Sequence, residues 1–482
     1  MILLIIPILS IIDLILTKKS NITTIKKKSL FWSIVTLIFY IIILIIFNKK
    51  DQFQFNSIFL WINNFNSFSN WGNIFISNDG ISIFFTGLSI LLIPICILMS
   101  WNTIKIFEKE FYLSLNLILF LLILVFSILD ILGFYIVFEG ILIPMFLIIG
   151  IWGSREQKIK AAFYFFFYTL IGSLLMLISI FKLYSLLGTT SYQNLLSIEI
   201  SYNLQYWLFI GFFMSLAVKI PMIPFHIWLP QAHVEAPISG SVLLAGILLK
   251  LGGYGFIRFS YPIFPLASEY FSPFIIILSI IAVVYASFTT FRQTDIKRLI
   301  AYSSVSHMGL VTLVIFTNSL EGLIASILMM LAHGLVSSGL FMTSSIIYSR
   351  HHSRTIKYFK GLTITMPIFS IISLILILAN IGFPLTFNFI AEFFSILTIF
   401  SFSFISGILT CIGLIIGTIY SLYFYNRIWF GQFSNYLIFS RDLIRIEFHG
   451  FLPLIILTII LGLNPNFLCD FILFTNYLSI SF

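Results

Sequence analysis

The chain has 482 residues, 60% hydrophobic and only 9% charged, with a formal net charge of +9. So apolar a composition excludes a soluble domain and calls for a bilayer as solvent. The positive excess shows no basic patch interleaved with aromatics on a soluble face, so lipid is the expected partner and nucleic acid is not.

At roughly 20 residues per crossing, the apolar runs predict an all-α polytopic membrane protein of about 14 transmembrane helices. The opening run MILLIIPILSIIDLILT has neither a basic n-region nor a small-residue cleavage site and is expected to be a retained first span. The long loop at 48–78 alternates aromatic and Asn residues. It predicts a small interfacial structure such as a hairpin, with Trp61 and Trp71 at headgroup level. Residues 427–449 carry charges of both signs and are expected to form an amphipathic surface segment before a last span at 450–473.

Loops after odd-numbered spans hold 20 of the 26 Lys and Arg residues, among them Lys297, Arg298 and Arg354. Arg258 is placed in a loop on the opposite side. By the positive-inside rule the 20-charge face is cytoplasmic or matrix, and both termini lie on the other side. Heavy use of Phe, Ile, Leu, Tyr and Asn, with Lys preferred in several loops, is the bias of AT-rich coding and points to an organellar gene.

Cys96, Cys411 and Cys469 stand alone and fit neither a disulfide framework nor a metal or iron–sulfur site. The Gly252-Gly253-Tyr254-Gly255 run lacks the spacing and the strand-turn-helix context of a nucleotide fingerprint. No redox cofactor or metal is expected in this chain.

Six ionisable residues lie in the apolar runs: Glu139, Lys219, Lys250, His307, His333 and Glu392. Glu139 is nine residues from Asp130 and sixteen from Arg155, so it lies roughly 13 and 24 Å along a helix from the nearest charges. Such groups are costly in a bilayer, face a bundle interior, and are functional candidates by default. Pro221, Pro224 and Pro230 break the seventh span (205–228) beside Lys219; the overlong twelfth (361–398) carries Gly382, Pro384 and Asn388 near its middle and is expected to be two half-helices joined by a break. Broken backbone at membrane depth occurs where protein or a water-filled cavity satisfies it, as at transporter ion sites. Acid, base and imidazole at intervals make a chain along which a proton can hop.

Structural alternatives stand beside this reading. Glu139 and Lys219 would also serve as a fixed ion pair between helices. His307 and His333 could bond neighbouring groups, such as Ser303, Ser304 and Ser306 beside His307. His226 and His233, near the first break, suit capping as well as a relay. Glu139 precedes Lys219 by 80 residues and His307 precedes Glu392 by 85, each member five spans from its counterpart. That odd number predicts two inverted five-helix repeats with broken seventh and twelfth helices. The divisions are 1–110 (spans 1–3), 111–258 (first repeat), 259–430 (second repeat) and 431–482 (surface segment and last helix).

The run KIPMIPFHIWLPQAHVEAPISGSVLLAGILLKLGGYG (219–255), with FEG at 138–140, AYSSVSHMG at 301–309, AHG at 332–334 and IAEF at 390–393, resembles the antiporter-like subunits of proton-pumping NADH:quinone oxidoreductase, respiratory complex I. The resemblance spans nearly the whole chain, except the divergent first hundred residues. It implies that Glu139 is an ion-pair partner that tunes Lys219, that Lys250 links two half-channels, and that His307 and His333 carry the relay to Glu392. It also implies that NADH, FMN, iron–sulfur clusters and ubiquinone belong to partner subunits. The partners would include other membrane-arm subunits, two of them related antiporter-like chains, in the mitochondrial inner membrane or, alternatively, a bacterial plasma membrane. Glutamate at 392 sets this chain apart from those two relatives, and the lack of a long amphipathic lateral helix after the last span sets it apart from the larger of them. Subunits of multisubunit cation/proton antiporters and membrane-bound hydrogenases share the lysine-proline run and form the alternative; a purely structural scaffold is the third.

Overall fold

Runs of Leu, Ile and Phe interrupted by short polar breaks can satisfy their backbone in a bilayer only by closing into helices. The computed structural model describes residues 2–60, 73–197 and 200–480, and helices dominate it. The first are α1 (Ile2–Leu16) and α2 (Ile22–Ile46), followed by strands β1 (Gln54–Leu60) and β2 (Asn73–Asn78). Next come α3 (Ser82–Ser100), α4 (Glu108–Ser127), α5 (Ile131–Gly140), α6 (Leu142–Trp152), α7 (Lys158–Leu187), α8 (Tyr192–Leu196), α9 (Tyr202–Lys219) and α10 (Trp228–Glu235). A continuous helix then runs from 238 to 263 as α11 (Ile238–Leu243), a π-turn (Leu244–Leu248), α12 (Leu249–Gly255), a second π-turn (Phe256–Ser260) and α13 (Tyr261–Ile263). The rest are α14 (Pro265–Phe291), α15 (Ile296–Ile315), α16 (Leu320–His351), α17 (Pro367–Ile381), α18 (Phe387–Phe402), α19 (Phe404–Trp429), α20 (Arg445–Leu463) and α21 (Asn466–Ile480).

Among the described residues, 11 helices are long and apolar enough to cross a membrane, with shorter apolar helices at Leu3–Leu16, Pro367–Ile381 and Phe387–Phe402. The bundle has an inside and an outside. The most apolar window of the 238–263 helix is 100% buried and that of α16 94%, against 17% for α2 and 33% for α7 and α19. The inner helices carry Lys250 and His333, so the chain spends its most enclosed positions on ionisable groups.

The 48–78 loop does form an antiparallel hairpin, pairing Ser57 with Ile76 and Ile58 with Phe75. Trp61 and Trp71 lie outside the described residues. The 427–449 segment lies at the surface as expected, with residues 430–444 exposed or half-buried. α19 continues to Trp429, α20 starts at Arg445, and the stretch between them has no helix. Asp442 in that stretch accepts from the N–H groups of Ile368 (2.8 Å) and Phe369 (3.2 Å), supplying the cap that α17 lacks locally. The expected span at 450–473 is likewise two helices, because Pro465 cannot continue α20.

Three cations expected in loops are buried instead. Arg258 sits in the second π-turn, paired with the equally buried Asp79 at 2.8 Å and flanked by Phe53 and Tyr192. Lys297 donates to the Ala236 carbonyl (3.0 Å), and Arg354 donates to the Val234 carbonyl (2.5 Å) and to the Ser154 hydroxyl. The last carbonyls of α10 thus face cations, which both satisfies their lone pairs and suits the negative helix end. Sequence position near a helix end does not tell a solvated charge from one folded back on a carbonyl.

Candidate functional site

The first break follows from proline chemistry. Pro221 has no N–H for the Ala217 carbonyl, so Met222 reaches back to take it (3.1 Å). That frees the Val218 carbonyl, which accepts from the indole of buried Trp228 at 3.0 Å. Pro224 continues the break before the helix resumes at Trp228. Pro230 lies inside α10, so of the three prolines it is not part of the break. Lys219 is therefore the last residue of α9, buried at a helix end. α12 comes close by: a Cβ at Gly252 would stand 2.9 Å from the Leu216 carbonyl oxygen.

Lys219 and Glu139 do not form the contact pair that the sequence suggests. No ion pair joins them among the described residues. The Lys219 ammonium lies over the ring of Phe138, 4.1 Å from its centroid. Glu139 is half-buried, with Oε1 enclosed and without a hydrogen-bond partner among the described residues. The cause is helical geometry: neighbours on a helix point about 100° apart, so α5 cannot aim Phe138 and Glu139 at one point. Asp130, nine residues earlier, has a structural place, accepting from the Gly133 N–H (2.8 Å) as the N-cap of α5.

The second group is contiguous. Lys250 Nζ lies 2.9 Å from His333 Nδ1 and also donates to the Ala245 carbonyl. Ala245 belongs to the first π-turn, where the widened hydrogen-bond ladder lets a carbonyl turn aside to the lysine. The rings of His333 and His307 stand 5.5 Å apart, and His307 Nδ1 is 3.7 Å from Glu392 Oε1. Beside that last gap lies a cavity of about 20 Å³ lined by Ser306, His307, Asn380, Glu392 and Tyr420 among others. That is the volume one water molecule needs. All four ionisable side chains are buried.

The second break presents Glu392. α17 ends in a Schellman arrangement: the Gly382 N–H donates to the Ala379 carbonyl (3.1 Å) and the Phe383 N–H to that of Leu378 (3.0 Å). Gly382 takes φ +75°, a conformation natural to glycine, and its missing side chain leaves the space filled by the Glu392 carboxylate. Pro384 then prevents the helix from resuming before α18.

The auxiliary histidines divide. His233 is buried, stacked on Phe341 at 4.4 Å, and among the described residues neither ring nitrogen has a hydrogen-bond partner. His226 is half-buried beside the rings of Tyr285 and Tyr302, apart from the contiguous set. Sequence reasoning missed Glu235, Asn380 and Phe138, and read Asn388 only as part of the second break. Glu235 is buried and Asn388 is buried one turn before Glu392; among the described residues Oε2 of Glu235 and both amide atoms of Asn388 have no hydrogen-bond partner. The available signal was closeness to a singled-out residue, His233 for Glu235, Gly382 for Asn380 and Glu392 for Asn388; for Phe138, one of 56 phenylalanines, adjacency to Glu139 was the only one.

Known proteins share this arrangement of helices. A family model described as NADH:quinone oxidoreductase/Mrp antiporter, TM, matches residues 129–417. NADH-ubiquinone oxidoreductase chain 4 of Metridium senile is 56% identical over 462 residues, covering 96% of this chain and 94% of that protein. The protein of the same name from Chondrus crispus is 48% identical, covering 95% and 93%. A chain of respiratory complex I from Thermus thermophilus with bound NADH has a TM-score of 0.88 at 24% identity, covering 99% of this chain and 98% of that one. A chain of the Mrp complex from Dietzia sp. has a TM-score of 0.85 at 16% identity, covering 98% and 96%. At these identities the two structures speak for the fold alone.

Proposed function

The chain belongs to the NADH:quinone oxidoreductase/Mrp antiporter transmembrane family, and from that we propose that it is a proton-translocating membrane subunit of an NADH-ubiquinone oxidoreductase. The observation that carries this reading is the buried run Lys250–His333–His307–Glu392 in an otherwise apolar core. Each member can bind and release a proton, and adjacent members stand close enough to pass one directly or through a single water.

In this reading Lys219 loads a proton beside the first break, Lys250 hands it to the histidines, and Glu392 delivers it at the second break. Glu139 acts on Lys219 through its charge and is not a stop on the path. NADH oxidation, FMN, iron–sulfur clusters and ubiquinone reduction belong to partner subunits, and coupling reaches this chain through its contacts with them. The protein spans a membrane many times; we place it in the mitochondrial inner membrane, the 20-charge face towards the matrix. Residues 111–258 and 259–430 act as two inverted repeats, flanked by 1–110 and 431–482. The Mrp-type exchanger is the second reading, favoured by the shared fold; identity to complex I subunits is much the higher.

The test is Lys219→Ala in the intact complex, read as proton pumping per assembled complex during quinone-dependent, inhibitor-sensitive NADH oxidation. Pumping is expected to fall at least tenfold with assembly retained. Lys219→Arg is expected to fail as well, because a guanidinium stays charged. Full pumping in Lys219→Ala would make the lysine structural and end this reading.

A further inference from the structure

Among the described residues, no carboxylate stands within ion-pair distance of Lys219. What stands against its ammonium is the ring of Phe138, at 4.1 Å from the centroid. Phe138 is fully buried. Its ring leans on Phe134 at 5.3 Å, and Phe134 leans on Phe259 at 4.6 Å. Phe259 lies in the second π-turn, beside the buried Arg258–Asp79 pair. The ring is thus buried and braced from behind by Phe134 and Phe259.

A ring face and a carboxylate hold a cation differently. The ring's quadrupole attracts an ammonium, more strongly when both are shielded from water. Unlike a carboxylate, it cannot accept the proton, and it loses little by being buried. We propose that Phe138 is a positioning residue for proton transfer: its ring holds the charged form of Lys219 at the first break without offering a competing proton acceptor. The proposal rests on the reading that Lys219 cycles a proton. It also explains the offset of Glu139. A contacting carboxylate would lock the lysine in an ion pair, whereas one turned aside adjusts it from a distance.

Other charged or titratable side chains on the surrounding elements include Tyr168 on α7, Lys250 and Tyr254 on α12, Arg258 in the second π-turn, Tyr285 on α14 and His226 in the break. Glu139 is the one whose charge acts on Lys219. Loss of the Phe138 ring therefore removes the contact support of the ammonium and leaves only the distant one.

The experiment compares Phe138→Leu, Phe138→Met and Phe138→Tyr in the intact complex, measuring pumping per assembled complex as a function of pH. Without the ring the ammonium is held less well and gives up its proton at lower pH. In Leu and Met the alkaline limb of pumping is expected to move down by about one pH unit, while Tyr keeps the native profile. A ring-fluorinated phenylalanine at 138 keeps the shape and weakens the negative face. It is expected to move the limb in the same direction, and it supplies the answer if the truncated variants fail to assemble. A native profile in the ring-free or fluorinated forms overturns the proposal, as does a Tyr profile shifted like Leu. Lys219→Ala separates the two levels: normal pumping there ends the reading of Lys219 itself. Lost pumping there with an unmoved Phe138 profile ends only the proposal for the ring.

Discussion

Lys250 Nζ lies 2.9 Å from His333, whose ring stands 5.5 Å from that of His307, itself 3.7 Å from Glu392, whereas no ion pair joins Glu139 and Lys219 among the described residues. Both regions are built around a broken helix, and each break exposes an ionisable group at its edge. They differ in what meets that group. At Glu392 the neighbour is another titratable side chain, so a proton has somewhere to go. At Lys219 it is an aromatic face, which holds charge but cannot take a proton. A contiguous set is suited to conduction, and a lone charge held by a ring and watched by a distant carboxylate is suited to control.

The sharpest way to break this comparison is at Lys250, which touches both the π-turn and His333. Lys250→Ala is expected to abolish pumping per assembled complex by at least tenfold. It also leaves the Ala245 carbonyl and His333 Nδ1 without their partner inside the bundle, a loss of about 1–3 kcal/mol for each group. Thermal unfolding of the purified complex should register that loss alongside the pumping defect; a variant that pumps normally would show that conduction bypasses the contiguous set.

A smaller effect distinguishes the two carboxylates. Glu392→Gln should cost more pumping than Glu139→Gln, because Glu392 belongs to the contiguous set that we propose as the path and Glu139 lies outside it. Restoring a carboxylate one turn away, at Tyr135 or Ile143 in the Glu139→Gln background, is expected to recover part of the loss, since positions four apart share a helix face. The same one-turn shift from Glu392 is expected to recover nothing. Equal losses and equal rescue at the two sites would erase the distinction between control and conduction.

The mildest test concerns geometry alone. Gly382→Ala forces an alanine into positive φ and pushes a methyl group into the Glu392 carboxylate, which together should cost about 1–3 kcal/mol of stability. Pumping should fall severalfold as the carboxylate is displaced from His307. A lowered melting temperature with pumping untouched would show that the 3.7 Å spacing has slack.

Composition alone was enough to place this chain in a membrane, and isolation in apolar runs was enough to mark six ionisable residues, because burying a charge in lipid without purpose is too costly to persist. The prolines and Gly382 likewise announced both breaks, since a missing N–H or a required positive φ acts locally whatever the rest of the chain does. Partnership was not legible in this way. Which face of α5 meets Lys219 depends on how that helix is rotated in the bundle, so Phe138 and not Glu139 takes the contact. The widening at 244–248 that aims the Ala245 carbonyl at Lys250 leaves no mark in residue type. Arg258, Lys297 and Arg354 read as loop charges because their sequence neighbours are polar or helix-terminal; only tertiary packing folds them back onto Asp79 and the carbonyls of 234 and 236. Local rules act through one helix turn, while the partner of a buried charge is chosen by helices tens or hundreds of residues away.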